Sequence, residues 1–296
     1  MAATSGGGTR PPVPSQRPTP PSKVQKTISL IAGAAIVVAS VLLVDANWDR
    51  LPEVPAALTG YVDLMARGVL QDPTVEPYSA YWVTAVELML ESLYMAWVGT
   101  LIGAVISFPL AFLAAENVSP KPVVFVTRQL LNAIRAVPEL IFAIAIMLPI
   151  FGLGPLAGAF ALGVGSIGTL GKLTSEVIEG IDPGPVEAAR ASGARPLQVL
   201  RSSVLPQALP EAIAFWLYRF EINIRAGAVL GVLGAGGIGS ILSQLFERRL
   251  WDRIGITLLV VILVTIVVDQ ISARVRSRVI QGPGGDVARP RPAEAL

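Results

Sequence analysis

The chain has 296 residues, of which 53% are hydrophobic and 15% charged, with a net charge of +2 and a mean hydropathy of +0.63. Apolar surface in that proportion exceeds what a soluble domain hides, so much of it must face lipid, and +2 is too small a charge to argue for a nucleic-acid partner. With no Cys and no His, disulfides, thiolate nucleophiles and Cys-ligated metals are excluded, and so are the commonest general base and metal ligand.

In chain order, residues 1–26 are rich in Pro, Gly, Ser and Thr, with four basic and no acidic residues, which predicts a disordered tail. Residues 28–44, "ISLIAGAAIVVASVLLV", carry no charge and are about long enough to span a bilayer. A cleaved signal peptide is the weaker reading, because the preceding tail is long and no small-x-small site follows. Residues 45–80 read as a polar loop with six acids and two bases. Further spans are expected over about 81–115, 123–150 and 156–179, then a polar elbow over 182–206. A fifth apolar run covers 210–233, a loop 234–253, and a sixth, "IGITLLVVILVTIVVDQI", 254–271. The domain reading is therefore a 1–26 tail, a first helix and outer loop over 27–80, a core over 81–273 and a second tail over 274–296.

Lys and Arg orient the spans, because basic loops stay on the cytoplasmic side. With six spans and both ends inside, the segments 1–26, 116–122, 182–206 and 274–296 hold 13 Lys and Arg, against 5 in 45–80 and 234–253. The elbow is thus expected in the cytoplasm, and the chain in the plasma membrane as an all-α, multi-pass protein.

The elbow reads "DPGPVEAARASGARPLQVLRSSVLP". Pro183 and Pro185 suit a helix start, Glu187 in the first turn is favoured by the helix dipole, and Ala188 and Ala189 are small. Gly193 is expected to stop this helix. Pro196 starts a second short helix with an apolar stripe of Leu197, Leu200 and Val204, and Pro206 is expected to end it. Such a knob could dock into a protein groove, or lie as an amphipathic loop on lipid headgroups. The physics of the residues leaves both open.

The spacing is more specific. Glu187-Ala188-Ala189, three residues, Gly193, nine residues, an aliphatic slot, one residue, then Leu205-Pro206 resembles the EAA loop of ABC-importer permeases, the membrane subunits of binding-protein-dependent uptake systems. The chain departs from the pattern at the aliphatic slot, which holds Ser203. "NAIRAVPELIFA" (132–143) and "FWLYRFEINIRAGAVLGVLGAGGIG" (215–239) look like the third span and the fifth span with its outer loop in phosphonate-type permeases. The resemblance covers roughly residues 80–280. It implies that the elbow is the coupling helix, seated on a separate ATP-hydrolysing subunit. Glu187 would pair there with a basic residue, and Gly193 would permit the sharp turn. It further implies a homodimer with its pathway at the subunit interface, two ATP-binding subunits on the cytoplasmic face and one extracytoplasmic substrate-binding protein. ATP and Mg would sit on the partner, with no cofactor or metal on this chain. The substrates implied are phosphonates and, for some members, phosphate or phosphite; permeases of similar fold carry methionine.

Two tempting motifs fail. Gly234-Ala235-Gly236-Gly237-Ile238-Gly239 fits G-x-G-x-x-G, but a dinucleotide site needs a strand before it and a helix after it. Its glycines fit a tight turn or close helix contact better. Gly171-Lys172 lacks the rest of a P-loop, since Ser166 and Leu173 stand where Gly and Ser or Thr belong. An intramembrane enzyme would need a clustered catalytic set that is not evident, and a channel or secondary transporter would leave the elbow unexplained.

The charges inside the spans remain. Arg135 and Glu139, Lys172 and Glu176, and Glu221 and Arg225 each stand four apart and can pair on one helix face; Arg219 lies on another side of its helix. Lys172 and Glu176 read as a structural pair. Arg135, Glu139, Arg219, Glu221 and Arg225 either line or gate the pathway or lock the bundle. Glu87 and Glu91 are expected at the outer interface.

Overall fold

The computed structural model describes residues 23–44 and 46–281, and no strand occurs among them. The chain divides between Ala57 and Leu58 into two compact units. The first holds α1 (Lys23–Leu43), apolar all round as a lipid-facing helix is, and a 3₁₀ turn over Trp48–Glu53. The expected 1–26 tail lies outside the described residues up to 22, and its last four residues belong to α1. Of the second tail, 282–296 lies outside the described residues, and the part before it is helical.

A helix stands where a loop was expected, and from Leu58 onward it belongs to the second unit. In α2 (Val54–Val69), Leu58, Val62, Met65 and Val69 recur at helical spacing. Gly68 and Gly255 let backbone meet backbone at its far end: a Cβ on either would overlap the carbonyl of Asp252 or of Met65. The ring of Tyr61 lies 4.5 Å from that of Trp251.

The bundle proper begins with α3 (Tyr78–Ala114). The third span is not straight. α4 (Lys121–Ala136) and α5 (Glu139–Phe151) meet at 84°, because Val137 precedes a proline and takes extended backbone, φ −96° and ψ 119°. Within α5, Ala143–Met147 is wound as a π-helix. α6 (Pro155–Glu179) runs through the centre of the unit, and Leu162, Leu170 and Ile178 on it are fully buried.

α7 (Pro183–Ala191) is the first half of the elbow. The second half does not end at Pro206. It continues as α8 (Pro196–Ala235), through a π-wound turn at Leu200–Val204 whose changed winding accommodates a residue with no N–H to give. The expected fifth span is thus the outer part of one long helix. The expected 234–253 loop is mostly α9 (Gly237–Glu247), folded back from α8 by 60°. α10 (Trp251–Gln281) closes the unit. Among the described residues, four helices are long and apolar enough to cross a membrane, and six spans result if each bent pair counts as one.

Four apolar cores hold the helices of the described residues together, two of them near the centre of the bundle. One joins Met95 of α3 to Leu162 of α6 and Leu230 of α8. The other joins Met89 of α3, Ile224 of α8, Ile238 of α9 and Ile256 of α10. Large apolar side chains elsewhere, such as Val105, Phe125 and Ile150, stay exposed, as suits a surface that meets hydrocarbon.

Candidate functional site

The elbow is built by local capping. The Asp182 carboxylate accepts from the Gly184 N–H at 2.9 Å and starts α7. At its end the Gly193 N–H donates to Arg190 O at 2.9 Å and the Ala194 N–H to Ala189 O at 3.1 Å, with Gly193 at φ +80°. This is the paired closure a glycine permits. The Gln198 side chain reaches back to the Arg195 N–H at 2.8 Å and opens α8.

Two side chains that the sequence did not single out as anchors fix this knob to α8. Ser203, in the aliphatic slot, is buried and donates to Pro185 O at 3.1 Å. Gln207 accepts from the Asp182 N–H at 3.0 Å and donates to Ser203 O at 2.8 Å. Leu200 and Val204 pack with Ala111, Ile178 and Ala208. Leu197 does not share that stripe; it is 75% exposed, and Val199 is buried in its stead. Arg128 pairs with Glu116 and Glu179, and Asn117 donates to Ile178 O at 2.6 Å, so the 115–120 turn is tied to the end of α6. Beside it lies a hollow of about 750 Å³, lined by Asn117, Val186, Glu187, Arg190, Leu197 and Leu200 among others. Glu187, Ala188 and Gly193 are exposed, Ala189 half-buried and Pro206 exposed. Glu187 has no ionic partner among the described residues.

The intramembrane charges divide into two groups, and two of the three expected i,i+4 pairs do not form. Lys172 and Glu176 do pair, at 3.0 Å. Arg135 and Glu139 do not, because the break at Val137-Pro138 destroys the helical spacing between them. Glu139 pairs instead with Arg219 of α8, whose Nε donates to Ser166 Oγ at 2.9 Å. Asn223 Nδ2 donates to the same Ser166 Oγ at 3.1 Å and to Thr100 Oγ1 at 2.9 Å. Glu139 and Arg135 both lie on α6, Glu139 over Gly165 and Arg135 over Gly168, where a Cβ would overlap them. The second group lies between α8 and α10. Glu221 does not pair with Arg225; it accepts from Arg276 at 2.5 Å, and Arg225 faces Asp269 at 3.6 Å. Ser166, Asn223, Thr100, Asp269 and Arg276 give no local signal in sequence, since each meets its partners across helices.

At the other end of α8 the glycine run forms a turn with φ of +96°, +80° and +65° at Gly234, Gly236 and Gly237. Here α9 begins. Glu91 accepts from the Gly237 N–H at 3.1 Å and Ser92 from the Ile238 N–H at 2.9 Å. The N–H groups that would cradle a phosphate in a dinucleotide fold are thus filled by side chains of α3. Glu91 is half-buried in this contact, while Glu87 is exposed.

A buried polar cluster inside a helical bundle, with a capped and exposed knob at one end, matches one family model: residues 82–281 fit the binding-protein-dependent transport system inner membrane component. The chain belongs to that family. It is a multi-pass membrane transport subunit. It is 39% identical over 246 residues to the phosphite transport system permease protein PtxC of Stutzerimonas stutzeri, covering 82% of this chain and 88% of that one. It is 40% identical over 184 residues to the phosphate-import permease protein PhnE of Mycolicibacterium smegmatis, covering 62% of this chain and 34% of that longer one. Among solved structures, the MetNI methionine ABC transporter in an inward-facing conformation matches with a TM-score of 0.60 at 24% identity, over 69% of this chain and 99% of that one. The permease therefore has the type I ABC-importer fold.

Proposed function

We propose that this permease passes phosphite, phosphonate or phosphate through the plasma membrane as the membrane subunit of an ATP-driven importer. The observation that carries the substrate class is the likeness to a phosphite permease along 82% of the chain. The reading gives the elbow the coupling role. Glu187, Ala188, Ala189 and Gly193 form the face that meets an ATP-binding subunit, and Leu205-Pro206 continue that face into α8. Support comes from the exposed, ionically unpartnered Glu187 and from the Ser203 and Gln207 ties, which couple the elbow mechanically to α8.

In this reading two copies of the chain enclose the pathway, each elbow holds one ATP-binding subunit, and a substrate-binding protein delivers the anion from outside. ATP and Mg belong to the ATP-binding subunits, and this chain binds no cofactor. Both termini and the elbow are cytoplasmic. Arg135, Glu139 and Arg219 belong to the pathway, with Glu221 and Arg225 flanking it from the α10 side.

The test is phosphite uptake by cells whose only phosphorus-oxyanion importer is the complete system containing this permease. Wild type is expected to take up phosphite, and Glu187→Ala to abolish uptake while remaining inserted, because a charged contact at a desolvated interface is lost. Uptake of methionine instead of phosphorus oxyanions overturns the substrate class. Normal uptake by the Glu187 variant overturns the coupling role.

A further inference from the structure

The charges on the broken third span do not balance. Gly165, Ser166 and Gly168, which they contact, lie near the middle of α6, roughly 15–20 Å from either end at 1.5 Å per residue. Around that level stand Arg219, 8% exposed, and Glu139, 24% exposed. Arg135 is exposed one turn away and has no ionic partner among the described residues. Two guanidiniums thus stand near one carboxylate, which pairs with Arg219 alone, at the depth where an uncompensated charge is costliest. Such a charge persists where it faces water, a ligand or another chain.

The hydrogen bonds point the same way. Ser166 Oγ donates to Leu162 O at 2.6 Å and Thr100 Oγ1 to Ala96 O at 2.7 Å. Both hydroxyl protons are therefore committed, and both oxygens can only accept from Asn223. That fixes the amide with its nitrogen toward them. Its oxygen, Oδ1, is left buried and without a donor, on a residue that is 0% exposed. The cluster as it stands lacks one negative charge and one hydrogen-bond donor. A monoprotonated tetrahedral oxyanion carries both, with acceptor oxygens for guanidinium groups and one O–H.

We propose that Arg135 and Arg219 form an oxyanion site in the pathway, and that the Glu139 carboxylate occupies Arg219 in the absence of substrate. This rests on the oxyanion-importer reading and adds the residues and the exchange to it. An arriving hydrogenphosphite or alkylphosphonate oxygen displaces the Glu139 carboxylate from Arg219, and another oxygen takes Arg135, which Glu139 does not satisfy. The π-wound turn that follows Glu139 and the extended Val137 before it give the carboxylate's helix a place to yield. When the anion leaves, Glu139 returns, and a site that would otherwise hold the anion tightly is emptied by an internal competitor.

The experiment uses the purified chain in lipid nanodiscs, titrated with methylphosphonate and with phosphite while thermal unfolding is followed. Glu139→Gln removes the competitor and is expected to tighten binding about tenfold. Arg135→Gln, at an exposed position that does not hold the fold, is expected to weaken binding about tenfold, and Arg219→Gln to abolish it. Unchanged or weaker binding by a folded Glu139→Gln variant overturns the exchange. Unchanged binding by Arg135→Gln overturns the site even where the Glu139 variant fails to fold. Phosphite uptake by the wild-type importer separates the two readings: uptake with unaltered variant affinities overturns this site and leaves the importer, whereas neither binding nor uptake of any phosphorus oxyanion overturns the importer reading itself.

Discussion

At Gly193 the backbone turns at φ +80° and a Cβ would meet nothing within 4 Å. Conformation, not crowding, therefore forbids a side chain there. A left-handed residue with a Cβ costs about 1–2 kcal/mol, while Asn tolerates the region by bonding locally. Gly193→Val is expected to abolish uptake and Gly193→Asn to retain most of it, with both measured per inserted molecule. Equal uptake by the two variants would show that the turn is not set by backbone conformation. The neighbouring Ser203 makes the complementary point. The sequence marks it as a departure from an aliphatic pattern, yet its hydroxyl has a use, the bond to Pro185 O, that an aliphatic side chain could not make. The intramembrane charges were legible as charges but not as pairs. Spacing of four reports neighbours on one helix only, and the partners of Glu139 and Glu221, Arg219 and Arg276, lie 80 and 55 residues away.

Among the elements, the long apolar spans could be read from composition alone, since a helix in lipid must be apolar for about 20 residues. The short helices α2 and α9 could not be read that way, being too short to span and partly polar. Their periodicity was nonetheless present, in Leu58, Val62, Met65 and Val69, and in Ile238, Ile241, Leu242 and Leu245. Pro206 misled because proline usually ends a helix, whereas here the π-wound turn at Leu200–Val204 accommodates it. The docking of α2 gives a test at this scale. Gly255 lets the Met65 carbonyl touch its Cα, and a larger residue must push α2 away. Gly255→Val is expected to expose the 54–69 segment to limited proteolysis at least severalfold faster, with α10 still inserted. Unchanged protection would mean that α2 is held elsewhere.

For the molecule as a whole, the proposed six-span topology would put the elbow in the cytoplasm and the α2 segment outside. The chain has no Cys, so single-Cys variants can be labelled without background. An impermeant thiol reagent applied to intact cells is expected to label Ala56→Cys and to spare Ser202→Cys, which should react only after permeabilisation. Labelling of Ser202→Cys from outside would reverse the topology. The basic residues from which this orientation is inferred are plain in the sequence, because charge placement follows from the membrane and not from the packing of the helices.

Helix α8 runs from the elbow into the glycine turn, 40 residues or roughly 60 Å, with π-wound turns at Leu200–Val204 and Gly231–Ala235, and Arg219 fastens it to α6 and to α5 on the way. A rod fastened between its ends is a lever. Measured along the helix from Arg219, the inner arm to Pro196 is about 35 Å and the outer arm to Ala235 about 24 Å. In the proposed homodimer, drawing the two elbows together on one side would spread the far ends on the other, reversed in direction and scaled down to about two-thirds. A stroke on one face of the membrane would thereby become, in that dimer, an opening on the opposite face, with no signal passed from residue to residue. The fulcrum sits at the cluster through which the anion would have to pass.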